Sequence, residues 1–245
     1  MNKLKPKAVI FDLGSTLIEY EAKPWSEQAV TCAASVRKFL DRQGHPVPED
    51  EEFFRIFEDI KNDFRKHAAE SLTEWTVPQA AERLLGKLGI EADDGMADKL
   101  FDAYYQPVGK LIYAYDDVLD VLARIRKSAD AVGLVSNTIF PERAHMKELR
   151  RFKIEPYLDF CIFSSTFGLR KPHPDIFYKA ANCAGYAPAE CIYIGDRYVE
   201  DFQGPSQMGM PAVLKVLPWR EYPTDMPDDI PTISCLSDLD KYLDI

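Results

Sequence analysis

The amino-acid sequence predicts an α/β fold built on a doubly wound parallel sheet, and two patterns carry that prediction. Short apolar runs recur along the 245 residues, and their near-continuous hydrophobicity is typical of parallel strands that are covered on both faces. From about residue 116 onward, helical patterns alternate with these runs, which implies right-handed βαβ crossovers. The predicted strands cover residues 8–13, 131–136, 161–165, 191–195 and 211–216.

The second half of the chain carries a helical pattern after each of its strands. Near the end of the chain, residues 231–236 are predicted as one more short strand. A closing helix is predicted over 237–243, with Ser237 as its N-cap. The other predicted helices of this half cover residues 118–127, 141–152, 175–184 and 199–208.

The stretch between the first two predicted strands is too long for a single crossover helix. Residues 22–112 instead carry the periodicity of several helices, separated by loops that contain Gly and Pro. We therefore predict a core formed by residues 1–18 and 114–245, with residues 19–113 inserted as a mostly helical module. The predicted helices of the insert cover residues 27–43, 49–71, 77–88 and 95–105.

Composition restricts the class of protein. The net charge of -10 leaves no basic excess to neutralise phosphates, so we expect no nucleic-acid partner. No apolar run is long enough for a membrane-spanning helix, and the basic N-terminus leads directly into a short strand rather than into an apolar signal core. The five cysteines are widely scattered, which favours buried reduced thiols. We expect a cytoplasmic protein with no membrane partner.

Asp12 is the first candidate for chemistry. The apolar run 8–11 stops at this carboxylate, and Gly14, Ser15 and Thr16 follow it. Because open α/β sheets place their chemistry at the carboxyl ends of the strands, the fold delivers Asp12 to that edge. A carboxylate there can attack phosphorus and form an acyl phosphate. The alternative role for Asp12 is to cap the following turn.

Later segments add a hydroxyl and an ammonium. Ser136 and Asn137 end the second predicted strand, where a hydroxyl and backbone amides either hold phosphoryl oxygens or form an ordinary turn. Lys171 lies in a loop just before Pro172 and Pro174. Its ammonium either neutralises charge between a carboxylate nucleophile and a phosphoryl group or is a solvated surface group.

Asp196 and Asp201 are the candidate metal ligands. Asp196 follows the fourth predicted strand, and Asp201 comes shortly after it at a helix start. Such carboxylates are hard oxygen ligands suited to Mg²⁺, which retains several waters and needs few protein ligands. Helix capping is the alternative for Asp201. The histidines show no ligand spacing and are interpreted as surface or loop residues, namely His45, His67, His145 and His173.

Taken together, these segments resemble the haloacid dehalogenase-like (HAD) hydrolase superfamily. The resemblance rests on Asp-Leu-Gly-Ser-Thr at 12–16, Ser136-Asn137, Arg-Lys-Pro-His-Pro-Asp-Ile-Phe at 170–177, and Gly195-Asp196 followed by Asp201. It covers the whole chain. It implies a Rossmann-like core and, because the insert lies between the first two motifs, a C1-type helical cap.

The resemblance also implies roles by position. Asp12 would be the nucleophile, and Ser136 would bind phosphate with the backbone of Asn137 nearby. Lys171 would orient Asp12 and the phosphoryl group. Mg²⁺ would be the cofactor. Its implied ligands are Asp12, the backbone carbonyl of Gly14, Asp196 and, through water or in support, Asp201.

Gly14 departs from the pattern of the family's phosphatases, which carry a second Asp at that position as general acid and base. A glycine still offers its carbonyl to a metal, but it cannot transfer a proton. That role typically contributes about 10²–10⁴-fold in rate. Glu19, Glu21 and His173 are candidate replacements because they lie near the motifs in sequence.

The leading interpretation is a Mg²⁺-dependent phosphatase of a small phosphorylated metabolite, acting through an aspartyl-phosphate on Asp12. One alternative is a 2-haloacid dehalogenase acting on a halogenated substrate. Those relatives also lack the second Asp, but their last motif departs from the Gly-Asp-x-x-x-x-Asp present here. A second is a phosphonate hydrolase, which would need a cap lysine such as Lys23, Lys38 or Lys61. The third is a catalytically weak member that only binds a phosphorylated ligand.

Overall fold

Strands and helices alternate along the described chain. The computed structural model of the protein describes residues 3–20 and 25–245. Its strands are β1 (Ala8–Phe11), β2 (Ile18–Glu19), β3 (Tyr113–Ala114), β4 (Ala131–Ser136), β5 (Phe160–Phe163), β6 (Cys191–Gly195), β7 (Ala212–Lys215) and β8 (Thr232–Ile233). Its α-helices are α1 (Trp25–Arg42), α2 (Asp50–Ser71), α3 (Val77–Leu88), α4 (Met96–Gly109), α5 (Val118–Ser128), α6 (Glu142–Arg151), α7 (Ser164–Phe167), α8 (Pro174–Ala184) and α9 (Gly204–Ser206).

Six of these strands form one sheet in the order β5-β4-β1-β6-β7-β8, and all neighbours run parallel. This arrangement confirms the predicted α/β class with a parallel sheet. β1 lies between β4 and β6, where Phe11 pairs with Leu134 on one side and with Ile194 on the other. A strand in this position is covered on both faces, which explains why all of β1 is apolar and buried.

The described residues divide into two compact units. The first unit comprises the described part of 1–19 with residues 113–138 and 142–245, and it contains the parallel sheet. The second comprises the described part of 20–112 with residues 139–141, and it contains α1 to α4.

The core of the first unit packs a helix onto the sheet. Ala8 and Ile10 of β1 lie in the same buried cluster as Ile176 and Phe177 of α8. Alternate residues of a strand point to the same face, so this pair defines the face of β1 that α8 covers. The same cluster also contains Val135 of β4, Tyr193 of β6 and Met210, which precedes β7.

The second unit has its own apolar core between its helices. Val36 and Leu40 of α1 pack in one cluster with Phe53 of α2 and Leu84 of α3. Gly89 ends α3 in the left-handed conformation, at φ 66°, which explains the glycine at this helix end.

Within the described residues, no helix combines the length and the apolar character needed to cross a bilayer.

Several predictions of local structure were wrong. The predicted strand 8–13 ends at Phe11, and the predicted strand 231–236 covers only Thr232–Ile233. The predicted strand 161–165 ends at Phe163, because the Ser164 side chain bonds to the backbone of Thr138 as α7 begins. The predicted helix over 199–208 is a π-helical turn followed by the short α9. Ser237 lies inside the closing 3₁₀ helix rather than at its N-cap, and its N–H and hydroxyl both donate to Asp117.

The thiols are all free, but their burial differs from the prediction. Cys32 and Cys191 are buried, and burial raises the pKa of each thiol to about 11. Cys183 and Cys235 are exposed. Cys183 lies on α8, and Cys235 lies between β8 and the closing 3₁₀ helix.

Candidate active site

Three adjacent strands deliver predicted site residues to one edge of the sheet. Asp12 directly follows β1, and its backbone N–H donates to the carbonyl of Ile194 in β6 at 2.8 Å. Ser136 ends β4 on one side of β1, and Asp196 follows β6 on the other side. Since parallel strands share one carboxyl-terminal edge, these residues lie at the same edge of the sheet.

Lys171 links Asp12 to the acidic loop after β6. It is buried, and its Nζ donates to Asp12 Oδ1 at 2.7 Å and to Asp201 Oδ1 at 2.6 Å. Burial alone would lower the pKa of Lys171, but the carboxylates of Asp12 and Asp201 hold it well above its usual value. The ammonium therefore stays charged between two carboxylates.

Tyr193 of β6 completes the surroundings of this ammonium, and sequence reasoning missed it. Lys171 Nζ donates to the Tyr193 hydroxyl oxygen at 2.8 Å, and that hydroxyl donates to the carbonyl of Val135 at 2.9 Å. Lys171 Nζ also lies 3.2 Å from the carbonyl of Val135, so four acceptors surround the three N–H donors of the ammonium. The signal in the sequence is a tyrosine inside a buried apolar strand, where its hydroxyl needs a partner.

Asp201 folds back onto the end of β6. It lies in the π-helical turn Tyr198–Gln203, and its Oδ2 accepts from the backbone N–H of Asp196 at 3.1 Å and of Arg197 at 2.9 Å. This close return requires Gly195, since a Cβ there would lie 2.5 Å from both Cβ and Cγ of Asp201. Asp201 thus fixes the loop and holds Lys171 with the same carboxylate.

The carboxylates of Asp12, Asp196 and Asp201 form a buried acidic cluster whose ligand atoms lie within 4.8 Å of one another. Burial and the neighbouring charges of Asp12 and Asp201 raise the pKa of Asp196 well above its usual range. Burial also raises the pKa of Asp12, against the attraction of Lys171. Additional positive charge would stabilise these ionised carboxylates, so the donor set fits a hard divalent cation.

Arg220 also reaches this cluster, and sequence reasoning missed it too. Its Nη2 lies 2.7 Å from Asp196 Oδ2 and 3.5 Å from Ser15 Oγ. Arg220 belongs to the irregular segment between β7 and β8, which has no periodic pattern. No local signal in the sequence therefore indicates where its side chain points.

Asn137 joins the end of β4 to the loop that carries Lys171. Its Nδ2 donates to the carbonyl of Lys171 at 2.9 Å, and the N–H of Lys171 donates to Asn137 Oδ1 at 2.7 Å. The sequence predicted a role for the backbone of Asn137, whereas these bonds assign its side chain to coupling two loops. Ser136 beside it is buried at the end of β4.

A buried lysine holds the turn after Asp12. Lys215 of β7 donates from Nζ to the carbonyls of Ser15 at 3.0 Å and Thr16 at 3.1 Å. The same Nζ lies 3.2 Å from the centroid of the Tyr115 ring. The Thr16 hydroxyl donates to Asp12 Oδ2 at 3.3 Å. Lys215 could not be predicted from the sequence, because it ends a strand far along the chain from the turn.

The residues predicted from the sequence as candidate general acids have structural partners where they are described. Glu19 is buried and accepts from the Tyr115 hydroxyl at 2.5 Å and from the Ser15 hydroxyl at 3.4 Å. His173 Nδ1 accepts from the backbone N–H of Asp175 at 3.2 Å and caps α8. Glu21 lies outside the described residues.

Known proteins resemble this chain over most of its length. The family profile described as haloacid dehalogenase-like hydrolase matches residues 6–209. A glyceraldehyde 3-phosphate phosphatase of Methanopyrus kandleri is 25% identical over 207 residues, which cover 84% of this chain and 82% of the relative. A phosphoglycolate phosphatase of Escherichia coli is 28% identical over 222 residues, covering 87% of this chain and 82% of the relative.

Solved structures share the fold. A 2-haloacid dehalogenase from Pseudomonas syringae superposes with a TM-score of 0.71 at 22% identity, covering 96% of this chain and 97% of that chain. A HAD phosphatase from Thermococcus onnurineus superposes with a TM-score of 0.66 at 20% identity, covering 96% of each chain. At these identities the likeness concerns the fold.

Proposed function

Because this chain belongs to the haloacid dehalogenase-like hydrolases, we propose that it is a Mg²⁺-dependent phosphatase of a small phosphorylated metabolite. The names of its relatives, glyceraldehyde 3-phosphate phosphatase and phosphoglycolate phosphatase, support a phosphate ester with a short carbon chain. We further propose that residues 1–18 and 114–245 form the catalytic core. Residues 19–113 would then be a C1-type cap that selects the substrate.

One observation supports the catalytic assignment most strongly: the buried Lys171, in the loop before α8, bridges Asp12 and Asp201. A buried ammonium that orients one carboxylate oxygen and leaves the other for attack suits a carboxylate nucleophile. Asp12 Oδ2 would attack phosphorus while the bond to the leaving oxygen breaks, giving an aspartyl-phosphate. Water would then attack the phosphorus, release inorganic phosphate and regenerate Asp12.

The remaining site residues would bind and neutralise the phosphoryl group. The Ser136 hydroxyl and the backbone of Asn137 would hold its oxygens. Asp12, the carbonyl of Gly14 and Asp196 would hold Mg²⁺, with Asp201 in support or bound through water. The bound cation would supply positive charge to the phosphoryl oxygens.

Gly14 determines which leaving groups we expect the enzyme to release quickly. With no carboxyl group at this position, the leaving oxygen lacks the acid that the family's phosphatases provide. We expect an activated aryl phosphate to react faster than an alkyl phosphate, because an aryl oxide leaves without a proton.

The test is phosphate release from a panel of esters, with Mg²⁺ or with a chelator. Wild type is compared with Asp12→Asn and with Asp120→Asn, an exposed aspartate on α5 that serves as matched control. We expect release that requires Mg²⁺, is lost in Asp12→Asn and persists in Asp120→Asn. Release that persists in Asp12→Asn would overturn the proposed nucleophile.

The alternatives predict different results. Gly14 itself favours a 2-haloacid dehalogenase as the second candidate, and halide release without metal would support it. A phosphonate hydrolase would need a lysine that forms a Schiff base. Of the candidates for this lysine, Lys61 is paired with Glu58 and Lys38 is exposed on α1. The third candidate, Lys23, lies outside the described residues. Tight binding of phosphate without turnover of any substrate would favour a binding role.

A further inference from the structure

A buried polar chain lies beside the end of β4, apart from the acidic cluster. The Thr138 hydroxyl lies 2.7 Å from His145 Nε2, and His145 Nδ1 lies 2.9 Å from Glu148 Oε2. His145 and Glu148 are both buried on α6. The His145 ring also stacks on Phe163, with centroids 5.1 Å apart. His145 is therefore neither a surface nor a loop residue, contrary to the sequence prediction.

We assign the protons of this chain for a neutral His145 ring and an ionised Glu148. A carboxylate only accepts, so Nδ1 of His145 carries a hydrogen that it donates to Glu148. In the neutral ring Nε2 is then the acceptor, and the Thr138 hydroxyl donates to it. Glu148 thus sets the tautomer of His145, and His145 in turn sets the rotamer of Thr138.

The same threonine is held through its backbone. The N–H of Thr138 donates to Ser164 Oγ at 2.8 Å, and Ser164 Oγ donates to the carbonyl of Thr138 at 3.1 Å. On the other side, Asn137 exchanges two hydrogen bonds with the backbone of Lys171. The turn 136–138 is therefore tied to three separate segments of the first unit.

Burying this polar network has a free-energy cost, which a structural or functional role of the network would explain. Burying a carboxylate and an imidazole removes their hydration, and an apolar pair of similar volume would often be at least as stable. Here the network ends on the residue that follows Ser136 and Asn137. This position suits the network to hold the proposed phosphate-binding turn in one conformation before any ligand arrives.

We propose that His145 and Glu148 are positioning residues that act through the Thr138 hydroxyl to preorganise the turn 136–138 for phosphate. This inference rests on the proposed function, since it assigns the turn to a phosphoryl group. The network touches the turn and not the reacting atoms, so it supports binding of phosphate in the ester and in the product alike. Loss of such uniform binding raises KM and leaves kcat nearly unchanged.

The test compares Thr138→Val with Thr138→Ser in the full-length chain. Valine keeps the shape and removes the hydroxyl, whereas serine retains it. We measure binding of inorganic phosphate by calorimetry, and KM and kcat for the best ester. Removal of one hydrogen bond predicts that Thr138→Val weakens phosphate binding and raises KM about fivefold. We expect kcat to change less than about twofold in Thr138→Val. In Thr138→Ser, phosphate affinity and KM should return to the wild-type values.

A second variant and a spectroscopic readout separate positioning from simple packing. His145→Gln retains an acceptor near the position of Nε2, so it should bind phosphate better than His145→Leu. In ¹⁵N spectra, the Nε2 signal of His145 should shift in Thr138→Val and return in Thr138→Ser. Equal phosphate affinity in Thr138→Val and wild type, or equal loss in Thr138→Ser, would overturn the inference. If the proposed function fails instead, wild type itself neither binds phosphate nor releases it from any ester, and the inference falls with it.

Discussion

Gly195→Ala tests how closely the acidic loop packs on the end of β6. The added Cβ would lie 2.5 Å from Cβ and Cγ of Asp201 and 2.7 Å from its Oδ2. Non-bonded carbon atoms prefer about 3.5–4.0 Å. Either β6 must move or Asp201 must turn away from Lys171 and from the two backbone N–H groups that it accepts from.

Two costs add in this variant. Overpacking a close-packed site costs about 1–3 kcal/mol. Losing the 2.6 Å bond between Lys171 and Asp201 adds about 1.5–3 kcal/mol, since charged groups are involved. We expect the free energy of unfolding to fall by about 3 kcal/mol or more. Because Lys171 also positions Asp12, we expect kcat/KM to fall by about 10²-fold.

Urea unfolding followed by circular dichroism measures the first effect, and phosphate release measures the second. Gly86→Ala is the matched control, because an added Cβ inside α3 meets nothing within 4 Å. That control should be about 0.5–1 kcal/mol more stable than wild type, with unchanged turnover. If Gly195→Ala behaved like Gly86→Ala, the packing of Asp201 on β6 and its link to Lys171 would be wrong.

Four further variants, at three positions, probe residues 12–16 and the lysine that holds this turn. Gly14→Asp should raise kcat for an alkyl phosphate by about 10²-fold or more and for an aryl phosphate by less; equal gains would refute the missing-acid argument. Burial lowers the pKa of Lys215 to about 8, so above about pH 8 the unfolded chain binds more protons than the native one and stability rises with pH. Lys215→Met should flatten that rise when urea midpoints are compared at about pH 7.5 and 9.5, and an unchanged slope would contradict it. Since Ser15 has φ 58°, Ser15→Gly should unfold with about 1 kcal/mol more free energy than Ser15→Ala, and the reverse order would show no strain there.

The parallel sheet could be predicted because its signals are local. β4 and β6 have the predicted bounds, since the apolar run of β4 ends in Ser136 and that of β6 ends at Gly195, directly before Asp196. Asp12, Lys171 and Asp196 could likewise be predicted as site residues, because each lies in a short sequence motif. Their convergence then follows from the parallel topology, which places the carboxyl ends of strands at one edge.

The supporting residues could not be predicted, because their partners are distant in sequence. Lys215 bonds to the carbonyls of Ser15 and Thr16, and Arg220 pairs with Asp196. Neither residue belongs to a pattern that indicates a buried charge. His145 lies on a helix rich in charged residues, where burial of one face depends on what packs against it.

The π-helical turn after β6 shows how a site overrides local preference. The sequence pattern favours a helix over 199–208, but Asp201 accepts bonds from the backbone of Asp196 and Arg197. Residues Tyr198–Gln203 form a π-helical turn, and such turns are frequent at functional sites. The departure from the predicted helix therefore coincides with the proposed metal-supporting residue.

The central claim is that Asp12 becomes phosphorylated during turnover. Since Gly14 provides no base to activate water, we expect the aspartyl-phosphate to persist long enough to trap. Quenching a reacting mixture of enzyme, Mg²⁺ and an aryl phosphate with borohydride should convert the modified Asp12 to homoserine. Peptide mass spectrometry should find homoserine at position 12 and at no other aspartate. Steady phosphate release with unmodified Asp12, or with homoserine at another position, would contradict the account.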